Sequence, residues 1–407
     1  MSVRARCSLL CLLCASLSAY ADVFEINAMS AGVSEARRYQ SVDSALAAIT
    51  DAGLAGLLPA YTGREIAQVD LDFRGVDMVL AFPEEDRTRL TLQIPSMGVD
   101  ESFEGFSRDD SQSALRDFVK KNARLLALLQ RELVRSSPVD PVAGNPNSMM
   151  SRGVAEDFGA GVVSTAESGV TGGATGGLVG IAPAYTRLVA KSVNNPRNMD
   201  SGLFSLPLSY TRFFSKPGRL ITVSMPLSQS SIEGAKAYDA GLTASFRNPV
   251  SSAWYLTATA GMRATKSTDM GSGVAMSNVA LTSSYLIPTE GFGVTIGNMV
   301  GYYSTLKVKI NDVAYNPDIN NTVFRNGVLV EQPLSLMWNG DPLSIEYSLV
   351  DTRYTGTALF NRYQDELSVT IGTRRASNAR ASRVRGGFSV VEAPHARGFT
   401  LSMGYWF

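Results

Sequence analysis

The run GFTLSMGYWF, residues 398–407, alternates almost without fault. Phe399, Leu401, Met403, Tyr405 and Phe407 fall on one face; Thr400, Ser402, Gly404 and Trp406 fall on the other. Side chains of a β-strand reverse direction at every residue, so this is a ribbon with one apolar face and one mostly small or polar face.

The pattern repeats backwards through the second half of the chain. Phe204, Leu206, Leu208 and Tyr210 share a face, as do Ile221, Val223, Met225 and Leu227. Ala240/Leu242/Ala244/Phe246, Trp254/Leu256/Ala258/Ala260/Met262 and Leu343/Ile345/Tyr347/Leu349 continue it, while the opposite faces carry Thr257/Thr259, Ser344/Ser348 and Ser368/Thr370. With a first strand at about 178 to 190, the spacing predicts about twelve antiparallel strands. Tight turns are expected at 215–218, 247–251, 288–291 and 339–342, alternating with longer connections at 229–236, 264–273, 304–326 and 351–362. Short turns at one end and long loops at the other, with an even strand count, are the habit of membrane barrels. Trp254, Trp338, Tyr285, Tyr405, Trp406 and Phe407 gather near the tight-turn end, as an interfacial girdle would.

A closing strand that ends on an aromatic residue resembles the assembly signal of Gram-negative outer-membrane β-barrels, carried here by Phe399, Leu401, Met403, Tyr405 and Phe407. The resemblance implies an all-β transmembrane barrel over 178–407 in the cell outer membrane. Its implied partners are the barrel-assembly machinery, outer-membrane lipid and lipopolysaccharide. In architecture alone the plan is also similar to autotransporter translocators, although residues 22–137 lack the repeats of a β-solenoid passenger.

The other end of the chain fits export. Arg4 and Arg6 precede an apolar stretch, Leu9 to Leu17, and Ala19-Tyr20-Ala21 suits a cleavage site, so 1–21 reads as a signal peptide. All 3 cysteines (Cys7, Cys11, Cys14) fall inside it. Residues 22–137 read as a small α+β domain. Ser41 caps an expected helix to about Leu58, strands follow at 69–73, 76–82 and 90–94, and a second helix is expected from Ser111 to Arg135 with an apolar stripe. The strand parity puts this acidic unit in the periplasm with Phe407, where it would bind a periplasmic protein or the cell wall. Residues 138–177 form a Pro/Asn-rich and then Gly-rich linker or plug. The glycines at 172–177 lack the strand and helix that a phosphate loop requires.

With Lys+Arg and Asp+Glu both at 37, the chain has no charge bias toward nucleic acid. Its single histidine, His395, has no base–orienter partner in sequence, so no enzyme, metal or cofactor is expected. Charge instead falls on the faces opposite the apolar ones: Arg247, Arg263, Arg374, Arg383 and Arg385 against Asp239, Glu331, Glu346 and Glu366. A charge facing lipid at mid-membrane costs about 2–4 kcal/mol, which points these inward. Arg374, Arg375, Arg380, Arg383 and Arg385 gather at one expected periplasmic turn, as a basic pore mouth, as bracing for Glu346 and Glu366, or as a dock for the acidic N-terminal unit. Two functions follow: a channel or secretion conduit with a periplasmic gating domain, or a non-conducting outer-membrane anchor or adhesin-type protein.

Overall fold

A computed structural model describes residues 23–162, 176–192, 198–310, 313–374 and 383–407. The expected signal peptide lies outside the described residues, as do 172–175 of the glycine run.

The N-terminal unit is a six-stranded antiparallel sheet backed by helices. Its strands are β1 (Phe24–Ser30), β2 (Val33–Tyr39), β3 (Ala67–Phe73), β4 (Val76–Phe82), β5 (Leu90–Ile94) and β6 (Val99–Phe103), in the order β2-β1-β3-β4-β5-β6. Phe24, Ile26, Val69, Leu71, Leu80 and Leu92 build its core. The helix expected from Ser41 is two: α1 (Val42–Ala48) and α2 (Asp51–Leu57). The Thr50 hydroxyl accepts from Gly53 N and starts a new N-terminus there. Likewise Asn122 accepts from Leu125 N and divides the second expected helix into α3 (Arg108–Lys121) and α4 (Ala123–Ser136). Strands β1, β2 and β6 were not expected. Edge strand β2 is exposed almost throughout and so carries no apolar alternation to read.

The second half is a closed barrel of 12 antiparallel staves. Three staves are broken at prolines: β7 (Gly177–Ile181) with β8 (Ala184–Lys191), β9 (Asn198–Ser205) with β10 (Leu208–Phe213), and β11 (Leu220–Met225) with β12 (Leu227–Ile232). Pro183, Pro207 and Pro226 sit at the breaks, where a missing N–H interrupts the ladder. The continuous staves are β13 (Ala235–Pro249), β14 (Trp254–Ser267), β15 (Ser272–Pro288) and β16 (Gly293–Leu306), followed by β19 (Asn320–Trp338), β20 (Asp341–Gly356), β21 (Tyr363–Thr373), β22 (Arg383–Ala393) and β23 (Ala396–Trp406). A small hairpin, β17 (Val308–Ile310) with β18 (Val313–Tyr315), decorates one connection. The sheet closes where β23 pairs with both β7 and β8.

Alternation sorts the side chains as lipid requires. Leu242, Met262, Leu349 and Leu367 are each about 60% exposed on the outside, whereas Arg247, Thr257, Thr282 and Ser344 are buried within. Trp406 is a correction to the expected girdle: it turns inward, over Gly180 and Gly404, whose missing side chains make room for its ring. The strict alternation of short and long connections is also corrected. The staves reach further than their apolar runs, so 229–236 and 264–273 shrink to tight turns at Glu233–Gly234 and 268–271. Glu233 and Gly234 both have positive φ, the geometry of a two-residue hairpin. The longest connection, 307–319, remains on that rim.

Two placements follow from the register. The barrel begins and ends on one rim, where Val179 and Phe407 exchange backbone hydrogen bonds. The N-terminal unit lies on the other. Met199, Ile232, Ala235, Ala237 and Met270 of that rim join the unit's own core, and Val42 N donates to Asp269 O. The expectation that residues 22–137 share a rim with Phe407 is therefore corrected. The two halves are joined by a helix, α5 (Met149–Val162), that descends inside the lumen. Of the two readings of 138–177, linker or plug, residues 149–162 form a plug, and Gly177 already begins the wall.

Glycine makes this helix fit. A Cβ on Gly161 would stand 2.5 Å from the Thr282 side chain, and one on Gly153 3.0 Å from Arg263 Nε. Gly161→Leu should displace α5 from β15 and cost about 1–3 kcal/mol. The measurable result is a lower heat-shift temperature of the folded barrel in gel electrophoresis; an unchanged temperature would remove the close-contact argument.

Candidate functional site: a plugged and capped lumen

α5 is held by paired polar groups spaced along its length. Arg152 forms an ion pair with Asp239 of β13 at 3.2 Å and donates to Ser228 Oγ at 2.7 Å. One turn on, Glu156 takes Arg263 of β14 at 2.6 Å. Beside it, Asp157 Oδ2 accepts from Asn278 Nδ2 of β15 and from the Tyr303 hydroxyl of β16, both at 2.6 Å. Tyr354 of β20 donates to Ser151 Oγ at 3.1 Å. Between these, Met149, Met150, Val154, Phe158 and Val162 fill the space against Val274, Met276, Met299 and Leu329. Arg325 lies 5.3 Å over the Phe158 ring and donates to Glu366 at 2.9 Å and Thr352 at 2.7 Å.

The helix packs to one side. It packs mainly on β13, β14, β15, β16 and β19, and reaches β12 through Arg152 and β20 through Ser151. On the inward faces of β21, β22 and β23, Ser368, Thr370, Ser389, Thr400 and Ser402 stay half-buried or exposed. Thr400 bonds Thr186 of β8 across the closing seam at 2.9 Å.

The structure disperses the charges singled out from sequence. Arg263 and Glu366 serve the plug, directly or through Arg325. Arg247 is fully buried near the Phe407 rim, 4.1 Å over the Tyr255 ring. Arg385 donates to Ser344 at 2.6 Å and Thr370 at 2.9 Å, and Ser344 in turn donates to Glu331 at 2.7 Å. Glu346, buried, lies across from Glu331 in the register. Arg374 is a correction: it follows the end of β21 and is exposed at the rim, outside the lumen wall. The Arg383 side chain, Arg375 and Arg380 lie outside the described residues. Among the described residues the acidic unit meets the opposite rim from the Arg374 turn. His395 stacks on Phe360 at 5.0 Å in the β22–β23 turn, and its backbone N–H donates to Asn361 Oδ1. Sequence reasoning missed Arg152, Glu156 and Asp157, although an Arg and a Glu four residues apart hint at a helix.

A second polar knot ties the unit to the plug. Arg74 and Asp140 pair at 3.4 Å with both side chains buried, and Gln130 of α4 donates to both carboxylate oxygens at 3.2 and 3.1 Å. Ser272 of β15 donates to Gln130 Oε1 at 3.0 Å, so barrel rim, unit and linker meet at one point. Burial holds the Asp140 carboxyl above its ordinary range despite Arg74. Phe360 N donates to Val134 O at 2.8 Å and Asn361 N to Gly144 O at 3.0 Å, closing the rim beside the knot. Gly144 has φ 97°, and a Cβ there would stand 2.4 Å from Val134 O.

The closed register, the apolar outer belt and the polar lumen define a transmembrane β-barrel of the outer-membrane kind. No family model and no curated protein matches the chain. Among solved structures it is similar to the translocator domain of the autotransporter NalP from Neisseria meningitidis, at 11% identity and TM-score 0.47, over 68% of this chain and 99% of that one. It is similar too to the β domain of the Bordetella autotransporter BrkA, at 13% identity and TM-score 0.43, over 57% and 99%. A third is the transport unit of AIDA-I from Escherichia coli, at 10% identity and TM-score 0.36, over 56% and 89%. The barrel assignment stands on the strand register alone.

Removing one member of a buried pair strands the other charge, at about 3–5 kcal/mol. Asp140→Leu and Arg74→Met should each loosen the cap by that order, and the double variant should recover most of the loss. Protection of the α4 amides from hydrogen exchange reads this; additive losses would show that the pair does not act as a unit.

Proposed function

We propose that the barrel is a conduit for its own N-terminal unit, which it delivers to the outer face of the membrane and keeps there as a displayed cap. The observation that carries this reading is the path of the chain. Residues 23–137 sit on one rim, the barrel starts and finishes on the other, and α5 lies between them inside the lumen. A loop passing outside the wall would have to cross lipid with unpaired backbone, which the bilayer does not tolerate. Membrane barrels keep their longest connections outside, and 307–319 lies on the capped rim. This reading merges the secretion-conduit and anchor alternatives and replaces periplasmic gating. It contains no catalytic step. The displayed surface would meet outside partners at fully exposed Phe106, close in sequence to exposed Asp109 and Asp110.

An epitope inserted in the β1–β2 turn at Ala31–Gly32 should bind antibody on intact cells. Binding only after the outer membrane is permeabilised would overturn the display reading and restore a periplasmic unit.

A narrow channel is the second reading, favoured by the uncovered hydroxyl faces of β21, β22 and β23. In planar bilayers the double variant Arg152→Ala/Glu156→Ala, which frees α5 from β13 and β14, should pass several-fold more current than the parent chain. Silence from both proteins would remove the channel and leave display.

A further inference from the structure

Toward the capped rim, the outer wall is dented. Phe204, Gln229, Tyr238 and Lys266 edge a groove of about 540 Å³ on its rim side, and Leu206, Leu227, Ala240 and Ala264 line it. The register explains the dent. Leu227 pairs with Ala240 and Ala240 with Ala264, so small side chains run in a row across β13 and β14, one residue pair further from the rim than Phe204 and Tyr238, which stand 51% and 55% exposed. Pro207 and Pro226 break their staves at this same level. Leu206 N reaches Leu227 O and Gly241 N reaches Pro226 O in place of a regular ladder. Ser228, Asp239 and Thr265, whose neighbours along each strand face outward, also line the groove.

The groove has an apolar floor, and its rim-side edge carries the polar Gln229 and the charged Lys266. On β13 the outward residues run Phe246, Ala244, Leu242, Ala240, Tyr238 and then Lys236; on β14 they run Met262, Ala264 and then Lys266. The apolar run thus stops one residue pair short of the rim, at two exposed lysines. Neither makes an ion pair among the described residues. Asp200, on β9 and separated from β13 by β12, is held by Arg187. Asp269 accepts the backbone N–H of Lys236 at 2.8 Å, which leaves Lys266 as the less compromised cation. Lysines at the edge of a membrane's apolar layer extend toward the headgroups, where phosphate is the available anion.

We propose that this groove is a binding site for a phosphorylated membrane lipid, one acyl chain lying on Ala240 and Ala264 and the phosphate on Lys266. The site rests on the outer-membrane placement of the barrel and is independent of which side displays the N-terminal unit. Buried acyl surface supplies the attraction, and the lysine supplies discrimination between headgroups. Bulk lipid coats the whole belt; here a concave apolar floor and a cation without an ion-pair partner coincide.

The full chain in detergent, offered phosphatidylglycerol and phosphatidylcholine of identical chains, tests the proposal by native mass spectrometry. The parent chain should retain one phosphatidylglycerol with about ten-fold preference over phosphatidylcholine. Lys266→Gln should abolish the preference, and Ala264→Phe should lose the retained lipid while still migrating as a folded barrel. Equal retention of both lipids by the parent chain overturns the proposal. So does undiminished retention by folded Ala264→Phe, or an unchanged preference in Lys266→Gln. None of these residues touches α5, so failure here leaves the epitope result on the display reading untouched.

Discussion

Closure of the sheet is the constraint on which the rest depends. A hydrocarbon layer offers no hydrogen-bond partner, so every N–H and C=O of a spanning sheet must be met by a neighbouring strand. Here the first stave meets the last twice, through β7 and through β8, on either side of Pro183. Closure then fixes two surfaces of opposite demand. The outside must be apolar at every second residue, and the inside must be filled or wetted. The chain answers the second demand with its own residues 138–162, which bring a glycine-bearing helix into the space and match it to the wall with charge pairs.

Those pairs explain register more than stability. Burying Arg152, Asp239, Glu156, Arg263 and Asp157 away from water carries a desolvation cost that their attraction only about offsets. Their effect is selective: a slide of α5 by one turn would set Arg152 against Arg263 and Gly153 against the Asn278 and Tyr303 donors, leaving charge and donors unmatched. Glycine narrows the choice again, because Gly153 and Gly161 permit the close approach only at Arg263 and Thr282. The helix is thereby fixed in depth and in rotation.

How much of this was legible in sequence follows from which force shaped each residue. Lipid imposes a period of two, so Leu242, Met262, Leu349 and the residues of 398–407 announced their face, and the stave count could be read. Beyond the apolar belt lipid imposes nothing. Lys236, Lys266 and Gln229 continue their staves with polar outward side chains, and for that reason 229–236 and 264–273 looked like loops. α5 was illegible because its wall-facing side mixes Gly153, Asp157 and Gly161 with Met150, Val154 and Phe158, so no apolar stripe stands out, and its glycines argue against a helix by propensity. Which rim the N-terminal unit occupies was not written in any local pattern. It depends on contacts such as Val42 with Asp269 and Ala235 with the unit's core, which join residues far apart in the chain.

The asymmetry of the plug bears on how the lumen was filled. A helix centred in a pore would touch all staves, whereas α5 reaches the staves from β12 to β20 and leaves β21, β22 and β23 with half-exposed hydroxyls. Space beside a resident segment is what a second strand of the same chain would need if the linker entered as a hairpin, its tip leading and the unit drawn after it. A serine- and threonine-lined wall suits that passage, since hydroxyls hydrogen-bond to any backbone that slides past and hold none of it. The charged half of the lumen would then act last, when α5 reaches Asp239 and Arg263 and stops. On this view the polar and charged halves divide the work of one pore: one side lets the chain move, and the other decides where it rests.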